Sequence, residues 1–147
     1  MSFDGIDEET NILNRLAGVA GDRILDMEPD DVSVPIDTYG KVRPYIVLSM
    51  GAPFAHGADD RSMGDGEQDI PYTLTFVIGC YAGDRASLNA LYKEVVSRLV
   101  GWCPNEGNAT DIRIPYAFNG ASEKTQVRPA LFSKIAAMAT TINLSTR

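Results

Sequence analysis

Few residues of this chain could catalyse a reaction, and their spacing matches no common catalytic motif. A hydrolytic triad needs a base beside its nucleophile, and histidine is the usual base. The chain has one histidine, His56, and no GxSxG or GxxxxGK[ST] motif. A GxGxxG motif, which would indicate dinucleotide binding, is also absent. We therefore expect a solvated His56, no catalytic residue, no cofactor and a protein that is not an enzyme.

Carboxylates crowd the segment 51–70, whose sequence is GAPFAHGADDRSMGDGEQDI. A connection of about 20 residues is long for a compact domain and is usually functional or disordered. Calcium would need oxygen ligands at the offsets of a DxDxDG loop, which this segment does not supply. We expect a solvated or partner-facing loop without a metal, and a calcium-modulated interaction loop remains an alternative. Its acidic residues are Asp59, Asp60, Asp65, Glu67 and Asp69.

The two cysteines give neither a disulfide framework nor a metal motif. Cys80 lies in an apolar strand pattern and Cys103 follows Trp102, with no CxxC pair in the chain. We expect both thiols to be packed, and Trp102 to anchor the core.

Length and composition predict one soluble domain covering residues 1–147. The chain is 44% hydrophobic and 22% charged, which suits a packed globule. It has no apolar run near the roughly 20 residues of a membrane span, and its acidic start is unlike a signal peptide. An intracellular protein without a membrane partner is therefore expected.

The net charge of −7 disfavours a general nucleic-acid-binding surface and is unevenly distributed. Residues 1–84 carry 16 acidic and 5 basic side chains, a net −11. Residues 85–147 carry 8 basic and 4 acidic side chains, a net +4. Such a charge dipole can steer a domain towards a partner or towards copies of itself, although composition drift without consequence is equally compatible with it.

Hydrophobic periodicity predicts two helices. Apolar residues at helical spacing predict the first from about Asp7 to Met27, although Gly18 and Gly21 weaken it. The second follows Gly83-Asp84 and ends near Gly101 and Pro104. Its apolar stripe comprises Leu88, Leu91, Tyr92, Val95, Leu99 and Trp102.

Alternating and β-rich segments predict the strands. Residues 119–126 are polar and contain glycine, so a loop is expected there. The last segment favours strand over helix, as one strand or as two with a bend. The predicted strands are Val32–Ile36, Arg43–Met50, Tyr72–Cys80, Asp111–Phe118 and Leu131–Leu144.

The predicted order is α-β-β-β-α-β-β. Mostly short connections favour a single α+β domain, in which a mostly antiparallel sheet carries both helices on one face.

This order of elements resembles the tail terminator proteins of long-tailed bacteriophages. The resemblance covers about residues 7–144: a first amphipathic helix, a PYIVLSM strand, a long loop, a TLTFVIGCYAGD strand, a LNALYKEVVSRLVGW helix and a NATDIRIPYAFNG strand. The strand, YAGD turn and helix ending in LVGW are its most suggestive part. The long Gly/Asp loop departs from the family pattern.

The resemblance implies a structural virion protein, assembled in the host cytoplasm. Family members form a ring, expected to be a hexamer, that caps the tail tube, stops its polymerisation and offers the surface where the filled head docks. Its partners would be other copies of itself, the tail tube protein and head–tail connector or neck proteins. Genomic DNA would pass through the lumen without specific binding.

A ring subunit needs two different, mutually complementary surfaces, which the uneven charge could supply. We expect the acidic residues of 59–69 to face the lumen or an axial neighbour, where negative charge would repel DNA phosphates. Arg85, Arg98, Arg113 and Lys124 are candidates for contacts with the next subunit or the tube.

Three alternatives remain. The chain could be another head–tail connector, neck or tail tube subunit, although few of its predicted strands are long. It could instead be a ligand-binding or enzymatic α+β domain with a pocket for a small molecule between helices and sheet, or the calcium-modulated domain mentioned above.

Overall fold

The computed structural model describes residues 4–27, 29, 34–55, 71–114, 119–124 and 131–142, with the backbone alone for Ala55 and 119–124. The helices are α1 (Ile6–Arg15), a 3-10 helix (Val19–Asp22) and α2 (Arg85–Leu99). The strands are β1 (Ile24–Leu25), β2 (Tyr45–Met50), β3 (Phe54–Ala55), β4 (Tyr72–Ala82), β5 (Asn119–Lys124) and β6 (Leu131–Ile142). The predicted α+β class is confirmed.

The strands form one sheet around β4, in the order β1-β2-β4-β6-β5. Among the pairings of the described strands, only that of β1 with β2 is parallel, and β3 pairs with the first residues of β4. β4 and β6 pair along eleven residues, from Tyr72 opposite Ile142 to Ala82 opposite Phe132. This ladder is the longest in the described sheet, so β4 and β6 are its main pair of strands.

The main core lies between the two helices and one face of the sheet. Even-numbered residues of β4, among them Phe76, Ile78 and Cys80, point into it, as the two-residue period of a strand requires. Both helices contribute buried residues to the same cluster. The helices therefore cover one face, as predicted. The buried apolar residues of this layer are Ile12 of α1, Leu16 directly after α1, and Leu88, Leu91, Val95 and Leu99 of α2.

The prediction of one helix from Asp7 to Met27 is wrong. α1 ends at Arg15, and the chain continues as the 3-10 helix and β1. Gly18 has φ +87° and Gly21 has φ +62°, values that an α-helix does not allow and that glycine adopts at little cost. The predicted apolar face is observed in its middle, where Leu16 is buried, but not at its ends, where Ile6 is 58% and Met27 75% exposed.

α2 agrees with its prediction because its start signal is strong. Asp84 is the N-cap residue, and its carboxylate accepts a hydrogen bond from the Ser87 amide at 2.6 Å. The stripe that includes Leu88 and Leu91 faces the core. Trp102, after the helix end, is partly buried and packs against that core, in agreement with its expected role as an anchor.

The segments around β5 differ from prediction. Residues 119–124, expected in a loop, form β5, which pairs with β6 from Asn119 opposite Ala136 to Lys124 opposite Leu131. Of the strand predicted at Asp111–Phe118, Ile112 and Arg113 make only isolated bridges, and 115–118 lie outside the described residues. β6 is a single strand of 12 residues.

The predicted strand at Val32–Ile36 is not observed in the residues that are described. Val32 and Ser33 lie outside them, and Ile36 makes one isolated bridge to Val42. The strand predicted from Arg43 begins two residues later, at Tyr45. Among the described helices, none has the length and the apolar character that crossing a membrane would require.

Candidate interaction surfaces

The acidic loop predicted to face a lumen or a neighbour lies outside the described residues. This holds for Asp59, Asp60, Asp65, Glu67 and Asp69, and also for His56. Their expected roles therefore stay predictions. The other charged and reactive side chains discussed below lie among the described residues. They form two charged surfaces and two internal clusters.

Arg98 binds within its own chain. Its guanidinium donates hydrogen bonds to the main-chain oxygens of Arg15 at 3.1 Å and Ala17 at 2.9 Å, and pairs with Glu94 at 3.1 Å. The Arg15 guanidinium returns the contact by donating to the Arg98 oxygen at 2.8 Å, and it lies 5.1 Å from the Trp102 ring centre. Each arginine thus caps carbonyl groups near the C-terminal end of the other's helix, where positive charge is favoured.

Arg113 is exposed beside the edge of β6. Its guanidinium makes long contacts with the hydroxyl groups of Thr110, at 3.4 Å, and Thr141, at 3.3 Å. Such long hydrogen bonds between exposed groups hold the side chain weakly. Arg113 is therefore available for a contact outside the chain. Lys124 ends β5 at the outer edge of the sheet, and only its backbone is described.

A basic ledge lies where α2 meets β6, formed by Arg85, Tyr92, Phe132 and Lys134. The Arg85 guanidinium lies 6.0 Å from the centre of the Phe132 ring. The Lys134 ammonium lies 5.4 Å from the centre of the Tyr92 ring and donates to the Asn89 amide oxygen at 2.7 Å. Cations over aromatic faces keep their charge while resting on an apolar surface. The ledge thus presents two fixed positive charges on an aromatic base.

An acidic groove lies on the other side of the same helical layer. It has a volume of about 390 Å³, and its lining comprises Glu9, Leu13, Asp26, Leu48, Ser49 and Met50. Glu9 comes from α1 and Asp26 follows β1, so two carboxylates border the groove. β2, which contributes to the groove, and β6, which contributes to the ledge, flank β4 on opposite sides. The two charged surfaces therefore lie on opposite sides of the domain.

The sheet face away from the helices carries a second hollow, of about 270 Å³. Its lining includes Val47, Val77, Gly79 and Ile135, with Asp26 as its single titratable carboxylate. A Cβ atom on Gly79 would lie 2.7 Å from the Tyr81 ring, which stacks on Tyr45 with ring centres 4.9 Å apart. Glycine at this position therefore leaves room for the stacked tyrosines.

A buried carboxylate, which the sequence pattern did not distinguish from its neighbours, joins α1 to the chain after α2. Glu8 is fully buried, and its Oε2 accepts hydrogen bonds from the side-chain amides of Asn105 and Asn108, each at 2.8 Å. Asn11 adds a hydrogen bond to the Pro104 oxygen at 2.6 Å. In sequence, Glu8 stands between Asp7 and Glu9 as one of three acids favouring a helix start. Only tertiary packing separates its role from theirs.

The thiols lie where packing was expected. Cys80 is fully buried, and burial raises the pKa of its thiol to about 12. Cys103 is partly buried and donates to the Ala109 oxygen at 3.1 Å. Within the described ranges, no three His, Cys, Asp or Glu side chains are grouped so as to hold a metal ion.

Comparison with known proteins adds no family to this picture. No protein-family model matches the chain, and a search of curated proteins finds no significant match.

Proposed function

We propose that this protein is a structural subunit of a long-tailed bacteriophage virion, which forms a ring on the end of the tail tube. The ring would stop tube polymerisation and offer the surface on which the filled head docks. The role requires no catalysis and no cofactor. Partners would be other copies of the chain, expected as six in the ring, the tail tube protein and a connector or neck protein.

The observation that carries this proposal is the pair of oppositely charged surfaces on opposite sides of one helical layer. Contacts between two different patches are heterologous, and they close into a ring when the rotation between neighbours allows it. Glu9 and Asp26 on one side, and Arg85 and Lys134 on the other, are suited to such contacts. The observed α+β fold also agrees with the fold that the sequence resemblance implies.

The other charged residues can be assigned to further contacts of such a ring. Arg113, exposed and weakly held, and Lys124, at the outer edge of β5, are suited to the tube or to a neighbouring subunit. Arg98 is a weaker candidate because its guanidinium already donates hydrogen bonds to the main-chain oxygens of Arg15 and Ala17. The acids at 59–69 would line the lumen and let DNA pass without binding.

The direct test adds purified protein to polymerising tail tube protein of the same phage and follows tube length by electron microscopy. We expect short tubes that carry a ring at one end. Reversal of the acids at 59–69 to lysine should leave the ring intact and make DNA adhere to it. Protein that stacks into indefinite tubes by itself would identify a tail tube subunit, and protein that never binds tube ends would contradict the proposal.

A further inference from the structure

A short hairpin precedes β2 and ends in a turn that several hydrogen bonds hold in place. We call it the Tyr39 hairpin, and it comprises residues 35–43. The Asp37 carboxylate accepts hydrogen bonds from the amides of Tyr39 at 2.8 Å and Lys41 at 3.0 Å, and the Asp37 amide donates to the Lys41 oxygen at 2.8 Å. The Lys41 ammonium pairs with Asp84, the N-cap residue of α2. The turn is therefore fixed relative to the rest of the domain.

Tyr39 lies at the tip of this hairpin and is 92% exposed, the largest fraction among the exposed large hydrophobic residues that are described. Tyrosine is enriched at binding hot spots, because its large ring has few rotatable bonds and loses little conformational entropy on binding. A backbone that is already held in one conformation lowers that entropic cost further. Tyr39 is thus suited to insert its ring into a hollow on another molecule.

The hollow on the sheet face away from the helices has the size for one aromatic side chain. Its volume, about 270 Å³, lies just below the roughly 300–1,000 Å³ of pockets for small molecules. Its lining includes Val47, Val77, Gly79 and Ile135. Val77 is 37% exposed although β4 is the middle strand of the described sheet, so the hollow is open to solvent. Asp26, also in the lining, offers a carboxylate that can accept a hydrogen bond from a phenol hydroxyl.

The Tyr39 hairpin and the hollow of one copy lie side by side on the same sheet face. Val42 of the hairpin packs in one apolar cluster with Val47 and Tyr81, and both of these residues also line the hollow. Tyr39 is nevertheless exposed, so its ring does not occupy the hollow of its own copy. Each copy therefore carries one protruding ring and one hollow, the two different surfaces that a repeating contact between identical chains needs.

The charges beside the two features are opposite. Asp26 lines both the hollow and the acidic groove, so Glu9 of the groove lies on the same side of the hollow as Asp26. Arg43, at the base of the Tyr39 hairpin, is exposed. Opposite charges across an interface favour encounter and fix the orientation of the two molecules. A second copy of the chain thus supplies both the ring and the charge that suit this hollow.

We propose that the Tyr39 hairpin binds a second copy of this chain by inserting the Tyr39 ring into the hollow of that copy. The ring lies against Val77 and Gly79 of the second copy, and its hydroxyl donates a hydrogen bond to the Asp26 carboxylate. Arg43 of the hairpin faces the same acidic side. The contact goes beyond the proposed function, because it joins copies of the chain whether or not they cap a tail tube.

The test is light scattering on the purified full chain over a range of concentrations. Tyr39→Ala should associate at least about 30-fold more weakly than the wild type, because it removes a hot-spot ring. Val77→Tyr keeps a residue type that strands favour but fills the hollow, so it should weaken association as much. A mixture of the two variants retains one intact contact, between Tyr39 of the second variant and the hollow of the first. The mixture should therefore form mixed dimers and nothing larger.

Two further variants make the test specific. Phe54→Ala is the matched control, because Phe54 is also an exposed aromatic residue but lies opposite Thr73, at the other end of β4 from the hollow. It should associate as the wild type does. Tyr39→Phe keeps the ring and loses the hydroxyl, so it should associate about 10-fold more weakly. In an Asp26→Ala background, Tyr39→Phe should cause no further loss, since the acceptor is already absent.

Several results would overturn the contact. These are a wild type that stays monomeric at high concentration, a Tyr39→Ala variant that associates as well as the wild type, and a mixture that stays monomeric although circular dichroism shows both variants folded. These failures differ from failure of the proposed function. Copies that join through Tyr39 but never bind tube ends would retain this contact and lose the terminator role. A Tyr39→Ala protein that still forms rings on tube ends would retain the role and contradict the contact.

Discussion

Asp84 combines a helix cap with an ion pair. Its carboxylate accepts hydrogen bonds from the amide and the hydroxyl of Ser87, and it pairs with the Lys41 ammonium. The Lys41 pairing, followed by the Ser87 amide, lowers the pKa of Asp84 to about 2. The residue thus joins the start of α2 to the segment that leads into β2.

Replacing Asp84 should therefore weaken the fold in a pH-dependent way. Asp84→Ala removes the cap and should lower the free energy of unfolding by about 1 kcal/mol, measured by urea denaturation at pH 7. Asp84→Asn is the matched control, since asparagine caps as well but carries no charge.

The pH dependence follows from the sign of the shift. A carboxylate whose pKa is lower in the folded state stabilises the protein above its ordinary pKa, about 3.9, and this contribution is lost as the pH falls towards 2. The wild type should lose stability over that interval more steeply than Asp84→Asn. Identical slopes would mean that the ion pair contributes nothing.

Glu8 is the other residue whose loss should be costly. Glu8→Ala would leave the amides of Asn105 and Asn108 without their buried acceptor and should destabilise the protein by about 2–3 kcal/mol. Glu8→Gln keeps an oxygen that can accept both hydrogen bonds, so its cost should be smaller. Chemical denaturation of both variants would measure the difference. Equal costs would show that the charge of the carboxylate, which both variants lack, matters more than its volume or its acceptor oxygen.

At the scale of elements, the arginine pair joins the two helices by their C-terminal ends. Arg98→Ala should lower the free energy of unfolding by about 1–2 kcal/mol, because three carbonyl or carboxylate contacts disappear together. Arg113→Ala is the control from the same set of predicted interface residues, and its effect should stay within about 0.5 kcal/mol. Comparable losses from both would contradict the internal role assigned to Arg98.

How well each element could be predicted depended on where its stabilising contacts come from. β4 has strict alternation and α2 has a strong cap, so local sequence specifies both. β5, with the sequence NGASEK, has no strand signal of its own and is a strand because it pairs with the edge of β6. The prediction for α1 is too long because apolar residues at helical spacing continue past Arg15, whereas the positive φ of Gly18 excludes an α-helix there.

The candidate surfaces were predictable only in part, for the same reason. Charge counting indicated an acidic half and a basic half, and it identified Arg85. It could not pair Arg85 with Phe132 or Lys134 with Tyr92, because only the fold brings these residues together. Nor could charge counting distinguish Arg98 from the other candidate cations, since only the structure shows that its guanidinium donates to main-chain oxygens near the end of α1.

In the whole molecule, the order of the strands places the acidic and the basic surface on opposite sides of β4. The acidic groove borders β2, the basic ledge borders β6, and β4 separates them. Contacts built from these two surfaces should weaken as salt screens them, with a Debye length of about 8 Å at physiological ionic strength. The proposed ring is therefore expected to be more stable at low salt.

The most direct measurement is the native mass of the purified protein by light scattering, with negative-stain images of the same peak and of tail tubes mixed with it. We expect a closed ring near six subunits, free in solution or formed on tube ends. A protein that stays monomeric and leaves tube ends bare would contradict the proposed function.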